Sequence, residues 1–284
     1  MNQDLFITGA GVSADSGIPT FRGTDGFWTI GSNNYTPQEM ATRRMYENNP
    51  EEFLLWYFKR FVSLQNSEPN FSHFWLADKL LITQNIDGLD GKAGNKKYIP
   101  IHGRLDKLII YDDQENIQVP FDANWQDIIQ NVERNDLLSL RENLLKKCKI
   151  PKNKSDKKYI PQRGISLKPF VLLFDEYYTE NYRMSEAINL IETASKIVFI
   201  GTSFSVNFTS IALEIAMERK DMLLAYQQEL GEGVIFGAER VGGHVNRVSQ
   251  AGLSAMKAYY SEVIPGMGLA YKQVFQDATE VVQY

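Results

Sequence analysis

The sequence predicts an α/β fold built on a doubly wound parallel sheet, and three observations predict it. Four short apolar runs, "LFITGAG", "KLLITQNIDG", "KYIPIHG" and "KIVFIGTS", each end at small or polar residues. Helical patterns separate them, as the crossovers between parallel strands require. The first run leads into Gly9-Ala10-Gly11-Val12-Ser13-Ala14, which has the G-x-G-x-x-A spacing of a Rossmann-like dinucleotide turn.

Taken in order, the first strand delivers its glycines where a pyrophosphate could approach the backbone at a helix start. Gly9, Ala10, Gly11 and Ser13 are therefore cofactor-binding candidates. The helix that opens there is soon cut by Pro19 and the pair Phe21-Arg22. Pro37 to Pro69 reads as helix, with Phe53, Trp56, Tyr57, Arg60 and Leu64 near one face. The second strand carries Gln84, Asn85 and Asp87 at its carboxyl end, the third His102, and the fourth Gly201, Thr202 and Ser203. Doubly wound sheets bind ligands at the carboxyl ends of their strands, so one site is expected to collect these residues.

Leu105 to Lys168 fits the strand–helix alternation poorly. "FDANWQDIIQNVERNDLLSLRENLLKKCK" reads as one or two helices, with Trp125, Ile128, Ile129 and Val132 on one face. "IPKNKSDKKYIPQRG" is basic and turn-rich, and is expected to be exposed. The domain reading is a nucleotide-binding domain of residues 1–36, 70–104 and 168–284. Residues 37–69 and 105–167 then form a smaller, largely helical inserted module.

Composition narrows the class. Hydrophobic residues at 43% and charged residues at 23% of 284 describe an ordinary globular protein, and a net charge of −5 argues against nucleic acid as a partner. No apolar run approaches a membrane span, and the opening residues do not read as a signal peptide, because the fold begins at once. The single cysteine, Cys148, favours a reducing, cytoplasmic setting. His73, His102 and His244 have no ligand spacing between them, so no transition-metal site is expected.

"GAGVSADSGIPTFRG", "TQNIDGLDGKAG", "IHG" and "GTSFSV", in that order, resemble the sirtuins, over residues 4 to about 210. The resemblance implies NAD as a co-substrate, cut at its nicotinamide–ribose bond, and an acyl-lysine protein or peptide as partner. It implies that Phe21 shields the ribose face, that Arg22 holds the loop and phosphates, and that Asn85 and Asp87 build the nicotinamide pocket. It assigns catalysis to His102, as the base that takes a ribose proton, together with Asn85. An imidazole with an ordinary pKa of about 6.5 suits that task. Gly201, Thr202 and Ser203 suit a second phosphate contact. His73 resembles a structural helix position.

The sequence also departs from the family. Most sirtuins hold a structural zinc on four cysteines in two C-x-x-C pairs. Here Ile160 and Arg163 stand at the second pair, and one cysteine cannot supply four thiolates. The expectation is a zinc-free module, with Asp122 to Lys147 packing in place of the metal. Asp175 stands where glycine is usual before Glu176, and Phe208 where proline is usual. "DMLLAYQQ" is the candidate for a further strand. Tyr57 and Arg60 form a Y-x-x-R pair, which the desuccinylase and demalonylase branch also carries. At i and i+3 they could clasp an acyl carboxylate, or equally be packing and surface charge. Peptide is expected to pair with Val171 to Phe174 and the Ser203 to Val206 loop.

The leading expectation is an NAD-dependent lysine deacylase, with a preference for acidic acyl groups open. An NAD hydrolase or ADP-ribosyltransferase, such as the sirtuin-like antiphage enzymes, and a non-catalytic NAD-binding module are the alternatives.

Overall fold

A computed structural model describes residues 4–19, 35–131, 136–202, 206–219, 223–229 and 232–238. Phe21, Arg22, Val132, Ser203 and all of the chain beyond 238 lie outside the described residues. The main sheet has six strands in the order β3-β2-β1-β7-β8-β9. Strands β1 (Asp4–Thr8), β2 (Leu80–Thr83), β3 (Ile99–Pro100) and β7 (Lys196–Ile200) are the four expected from the sequence. They pair in parallel, Phe6 lying opposite Leu81 on one side and Val198 on the other. Leu5 and Ile7 are fully buried and Phe6 nearly so, because helices cover both faces, and this is why β1 has no polar alternation. β8 (Leu223–Glu229) continues the parallel set, and β9 (Glu232–Ala238) closes it antiparallel.

A second, three-stranded antiparallel sheet was not foreseen. β4 (Gly103–Ile110) lies between β5 (Phe121–Asp122) and β6 (Leu167–Val171). The region after His102 is therefore strand first and helix second. The sequence signal was weak because β4 carries three charged residues and bulges between Arg104 and Leu108. Its start depends on Gly103, at φ +81°, where an added Cβ would lie 2.0 Å from the Phe170 carbonyl oxygen. Only glycine lets β4 meet β6 directly after His102.

Helices α1 (Pro37–Met40), α2 (Arg43–Asn48) and α3 (Pro50–Leu64) fill the region read as helical. α3 starts as its sequence directs: the Asn49 side chain accepts from Glu52 N–H, Pro50 takes the first position, and two glutamates occupy the first turn. α4 (Phe71–Trp75) and α5 (Leu89–Lys92) flank β2. α6 (Gln126–Asn131) and α7 (Leu137–Lys147) are the two helices of the insertion, the second capped by Asp136 and ending in Lys146 and Lys147. α8 (Met184–Thr193) and α9 (Asn207–Arg219) flank β7.

Buried side chains form two large clusters. One collects α1 to α3 with Trp125, Ile128, Leu140, Leu144, Leu145 and Cys148. The other lies on the main sheet and includes Leu5, Ile82, Ile99, Phe199 and Phe208. In the first, Trp125 is 2% exposed and its indole N–H donates to Leu105 O at 3.0 Å. Burying so large an aromatic with its one donor satisfied gives the insertion a core of its own. Among the described residues no helix is long and apolar enough to cross a membrane.

Candidate active site

The site begins where β1 and β7 end. Gly9 N–H donates to Ile200 O at 3.0 Å, and Gly11 N–H donates to Gly201 O at 2.9 Å. A Cβ on Gly9 would stand 2.7 Å from Gly201 O, so the two strand ends touch only because both positions are glycine. Two amides of the fingerprint thus join strands in this structure. The turn continues as a seven-residue 3₁₀ helix, Ala10–Ser16, closed by Gly17 at φ 76°. The sequence suggested an α-helix here. The tighter coil keeps Val12 and Ser13 buried, and Ser13 faces the neighbouring strand end.

β2 delivers Gln84, Asn85 and Asp87 to the same place. Gln84 gives both its backbone N–H (2.9 Å) and its side-chain amide (3.1 Å) to Thr8 O, and the amide also reaches Thr202 Oγ1 at 3.2 Å. Asn85 Nδ2 donates to Gly9 O at 3.0 Å and to Ser13 Oγ at 3.1 Å. Its Oδ1 is buried and has no hydrogen-bond partner among the described residues. Leaving such an oxygen unpaired costs about 1–3 kcal/mol, so a donor from a ligand or water belongs there. Asp87 accepts from Ser13 Oγ at 2.7 Å and from Leu89 N–H at 2.9 Å, so it serves both the site and the turn into α5. Gly9, Ala10, Gly11, Ser13, Gln84, Asn85, Asp87, Gly201 and Thr202 are thereby brought together.

His73 joins this group from α4. It is fully buried, its Nδ1 accepts from Asn70 N–H, and its Nε2 lies 3.4 Å from Ser13 Oγ. Burial lowers its pKa and the Asp87 carboxylate opposes that. The sequence marked His73 as structural; its reach to Ser13 is set by the Asn70 cap, the one local signal that could have announced it.

His102 follows β3. Its Nδ1 lies 2.9 Å from Gln84 O and its Nε2 lies 2.9 Å from the Tyr178 hydroxyl. Enclosure of the ring pulls its pKa down, to about 4, while the Gln84 carbonyl pulls it up. The ring is thus neutral at physiological pH, the state a base needs.

The loop after β6 is fixed by a buried ion cluster. Glu176 accepts from Lys168 Nζ at 2.9 Å and Leu173 N–H at 3.2 Å, and pairs with Arg43 at 3.3 Å. Asp175, in the unusual position, accepts from the N–H groups of Arg43 (2.6 Å) and Arg44 (3.1 Å) and so caps α2. Val171 is inside the second sheet, opposite Gly103. The N–H groups of Leu172, Leu173 and Phe174 donate to His102 O, Glu176 and Ala41 O. The expected peptide pairing thus finds these donors already engaged, whereas the Phe174 side chain is exposed.

Tyr57 and Arg60 share a face of α3 as their spacing requires, yet both are inside the module, 2% and 3% exposed. Arg60 stacks on Trp56, 3.1 Å from the ring centroid, and donates to Trp56 O. Burial pulls the guanidinium down to about 9. A surface charge was the plain alternative for Arg60, and the structure does not place it there. Cys148 is fully buried, and burial pushes its thiol up to about 12. Among the described residues no group of three or more His, Cys, Asp or Glu side chains could hold a metal.

Comparison with known proteins decides the family. Residues 9–208 match the Sir2 family model. The chain belongs to the Sir2 family. An NAD-dependent protein deacylase 1 of Caldanaerobacter subterraneus subsp. tengcongensis is 31% identical over 225 residues, 77% of this chain and 79% of that protein. An NAD-dependent protein deacylase 1 of Archaeoglobus fulgidus is 44% identical over 106 residues, but that match spans only 35% of this chain and 42% of the relative. Among solved structures, a Sir2 homologue bound to NAD superposes with a TM-score of 0.56 at 28% identity, covering 78% of this chain and 77% of the other. A mutant Sir2 homologue bound to ADP-ribose gives 0.57 at 28%, covering 78% and 79%.

One buried carboxyl lies just outside the Sir2 site. Asp90 is 2% exposed, and burial first, then Asp87, holds its pKa up to about 7. Between about pH 4 and 7 the folded chain therefore keeps a proton that the unfolded chain releases, and stability falls as pH rises through that window. Asp90→Asn should remove this loss, gaining about 2–4 kcal/mol relative to the native chain at pH 8 and little at pH 4, in denaturant melts. Parallel pH profiles for the two proteins would show Asp90 ionised throughout.

Proposed function

We propose that this Sir2-family chain is an NAD-dependent protein-lysine deacylase that releases nicotinamide and acyl-ADP-ribose. The observation that carries the reading is the buried Oδ1 of Asn85, without a hydrogen-bond partner among the described residues, beside a neutral His102 at the meeting of three strand ends. The names of the relatives and the nucleotides bound to the structural neighbours support it. NAD supplies an electrophilic ribose carbon once its nicotinamide bond loosens. The residues that would hold it are those of the strand-end cluster, with Asn85 orienting a donor through Oδ1 and Asp87 accepting at the pocket wall. His102 is the base for a ribose hydroxyl proton, as the neutral ring at physiological pH permits.

Two finer readings accompany this one. The chain prefers acidic acyl groups, supported by the Y-x-x-R spacing that sets Tyr57 and Arg60 on one face of α3. The small module needs no zinc, supported by the single cysteine and by the core around Trp125.

Nicotinamide release measured with and without acyl-lysine peptides tests the activity. Release only with peptide, matched by deacylated product, is the expected result. Rapid release that peptide does not change would make the chain an NAD hydrolase. Arg60→Met should slow succinyl-lysine turnover at least ten-fold more than acetyl-lysine turnover, the size expected for losing one charged hydrogen-bond pair of about 1.5–3 kcal/mol. Equal loss on both substrates would assign Arg60 to packing alone. Elemental analysis should find no stoichiometric zinc, and one zinc per chain would refute the metal-free core.

A further inference from the structure

We propose that Tyr178 is a catalytic residue of this site, its hydroxyl carrying the proton between the NAD ribose and His102. The inference rests on the deacylase reading and adds to it a residue that the sequence motifs do not mark. It follows from which atoms can donate. A carbonyl oxygen only accepts, so the 2.9 Å contact with Gln84 O places the ring proton of neutral His102 on Nδ1. The lone pair is then on Nε2, and the hydroxyl 2.9 Å away must be the donor to it. The sole basic atom of His102 is therefore covered by a phenol.

That phenol is held in place. Its ring packs on His102 with centroids 5.9 Å apart and on buried Phe208 at 6.1 Å. Two residues upstream, Glu176 ties the loop to Lys168 and Arg43, while Leu172 N–H donates to the His102 carbonyl. Swinging the hydroxyl away would strain a loop anchored just upstream, whereas passing a proton through it requires no movement. Burial pushes the Tyr178 hydroxyl up to about 12, so it stays protonated and acts as a relay, not as a standing phenolate.

The step balances as follows. The ribose O–H bond breaks and its proton bonds to Tyr178 Oη. The original Tyr178 O–H bond breaks in concert, and that proton bonds to His102 Nε2. The ribose oxygen uses the electron pair so freed to bond to the acyl carbon of the imidate that forms as nicotinamide leaves, the C=N π pair moves onto the lysine nitrogen, and the resulting imidazolium donates from Nδ1 to Gln84 O. The proton returns through Tyr178 Oη to the lysine nitrogen, the C–N bond breaks with its electron pair on the departing amine, and water adds to the acyl carbon, losing a proton to give acyl-ADP-ribose. No oxidant or reductant is involved.

The first test needs no NAD. With three histidines in the chain, the ring ¹⁵N signals of His102 can be assigned by comparison with histidine variants. The native protein should show the Nδ1–H tautomer. Tyr178→Phe should raise the His102 pKa, because the donor that favours the neutral ring is gone; an unchanged titration would overturn the contact. The second test uses NAD with an acyl-lysine peptide. Tyr178→Phe should slow acyl-ADP-ribose formation about 100-fold, within the usual range for a proton-transfer group, while peptide-dependent exchange of labelled nicotinamide into NAD falls at least ten-fold less. His102→Ala and the double variant should lose no more than about ten-fold beyond that, since the two act as one unit. Product formation as fast as native or faster would overturn the relay and make Tyr178 a cover that must leave. Equal loss of exchange and product in a variant that melts like the native chain would also overturn it. A proton inventory on native product formation, which needs no variant, should be curved because two protons move; a linear one counts against the relay. A native chain that shows no peptide-dependent nicotinamide release at all would sink the deacylase reading itself, whatever Tyr178 does.

Discussion

At the carboxyl end of β1, two carbonyl oxygens organise almost every polar group of the site. Thr8 O takes the backbone and side-chain amides of Gln84, and Gly9 O takes the amide of Asn85. Thr8 also donates its hydroxyl to Thr83 at 2.8 Å, locking the two strand ends side by side. These contacts are fully enclosed, where each unsatisfied polar group is costly, so the network has few alternative arrangements. Gln84 is thereby fixed, and its own carbonyl in turn fixes the tautomer of His102. The orientation of the base descends from the strand pairing, through one glutamine.

The opposite wall is held by charge. Glu176 has no exposed side-chain surface and faces Lys168 and Arg43, one on β6 and one on α2. A buried cluster of this kind adds little net stability compared with an apolar one, but removing a single partner strands the remaining charges at a cost of about 3–5 kcal/mol. Its value is geometric: it clamps the second sheet, α2 and the loop into one piece. Asp175 reinforces the clamp by capping α2. The residue that breaks the family pattern thus has a mechanical reason to be acidic.

The parallel core was legible because buried strands are written as continuous apolar runs, and the site because its polar residues end those runs. β8 could be read from "DMLLAYQQ" for the same reason. What could not be read depended on partners distant in sequence. β4 alternates charge with apolar residues and becomes a strand only by pairing with β6, more than fifty residues on. The close approach of Gly9 to Gly201 that opens the first turn is likewise encoded by no local pattern. Arg60 reads as a surface charge until Trp56 is seen beneath it.

Phe208 illustrates how a departure from a family pattern can bear on the site. Phe208 replaces the usual proline at the start of α9 and is fully buried, so its ring occupies the space beside the loop. Tyr178 packs against that ring, and the Phe208 backbone amide acts on its phenolic oxygen, opposing the effect of burial. A proline has no N–H and could not do so. The aromatic at 208 therefore supplies the packing surface beside the hydroxyl that faces His102. Two aromatic residues 30 positions apart in the sequence thus meet beside a single atom, the Nε2 of the base.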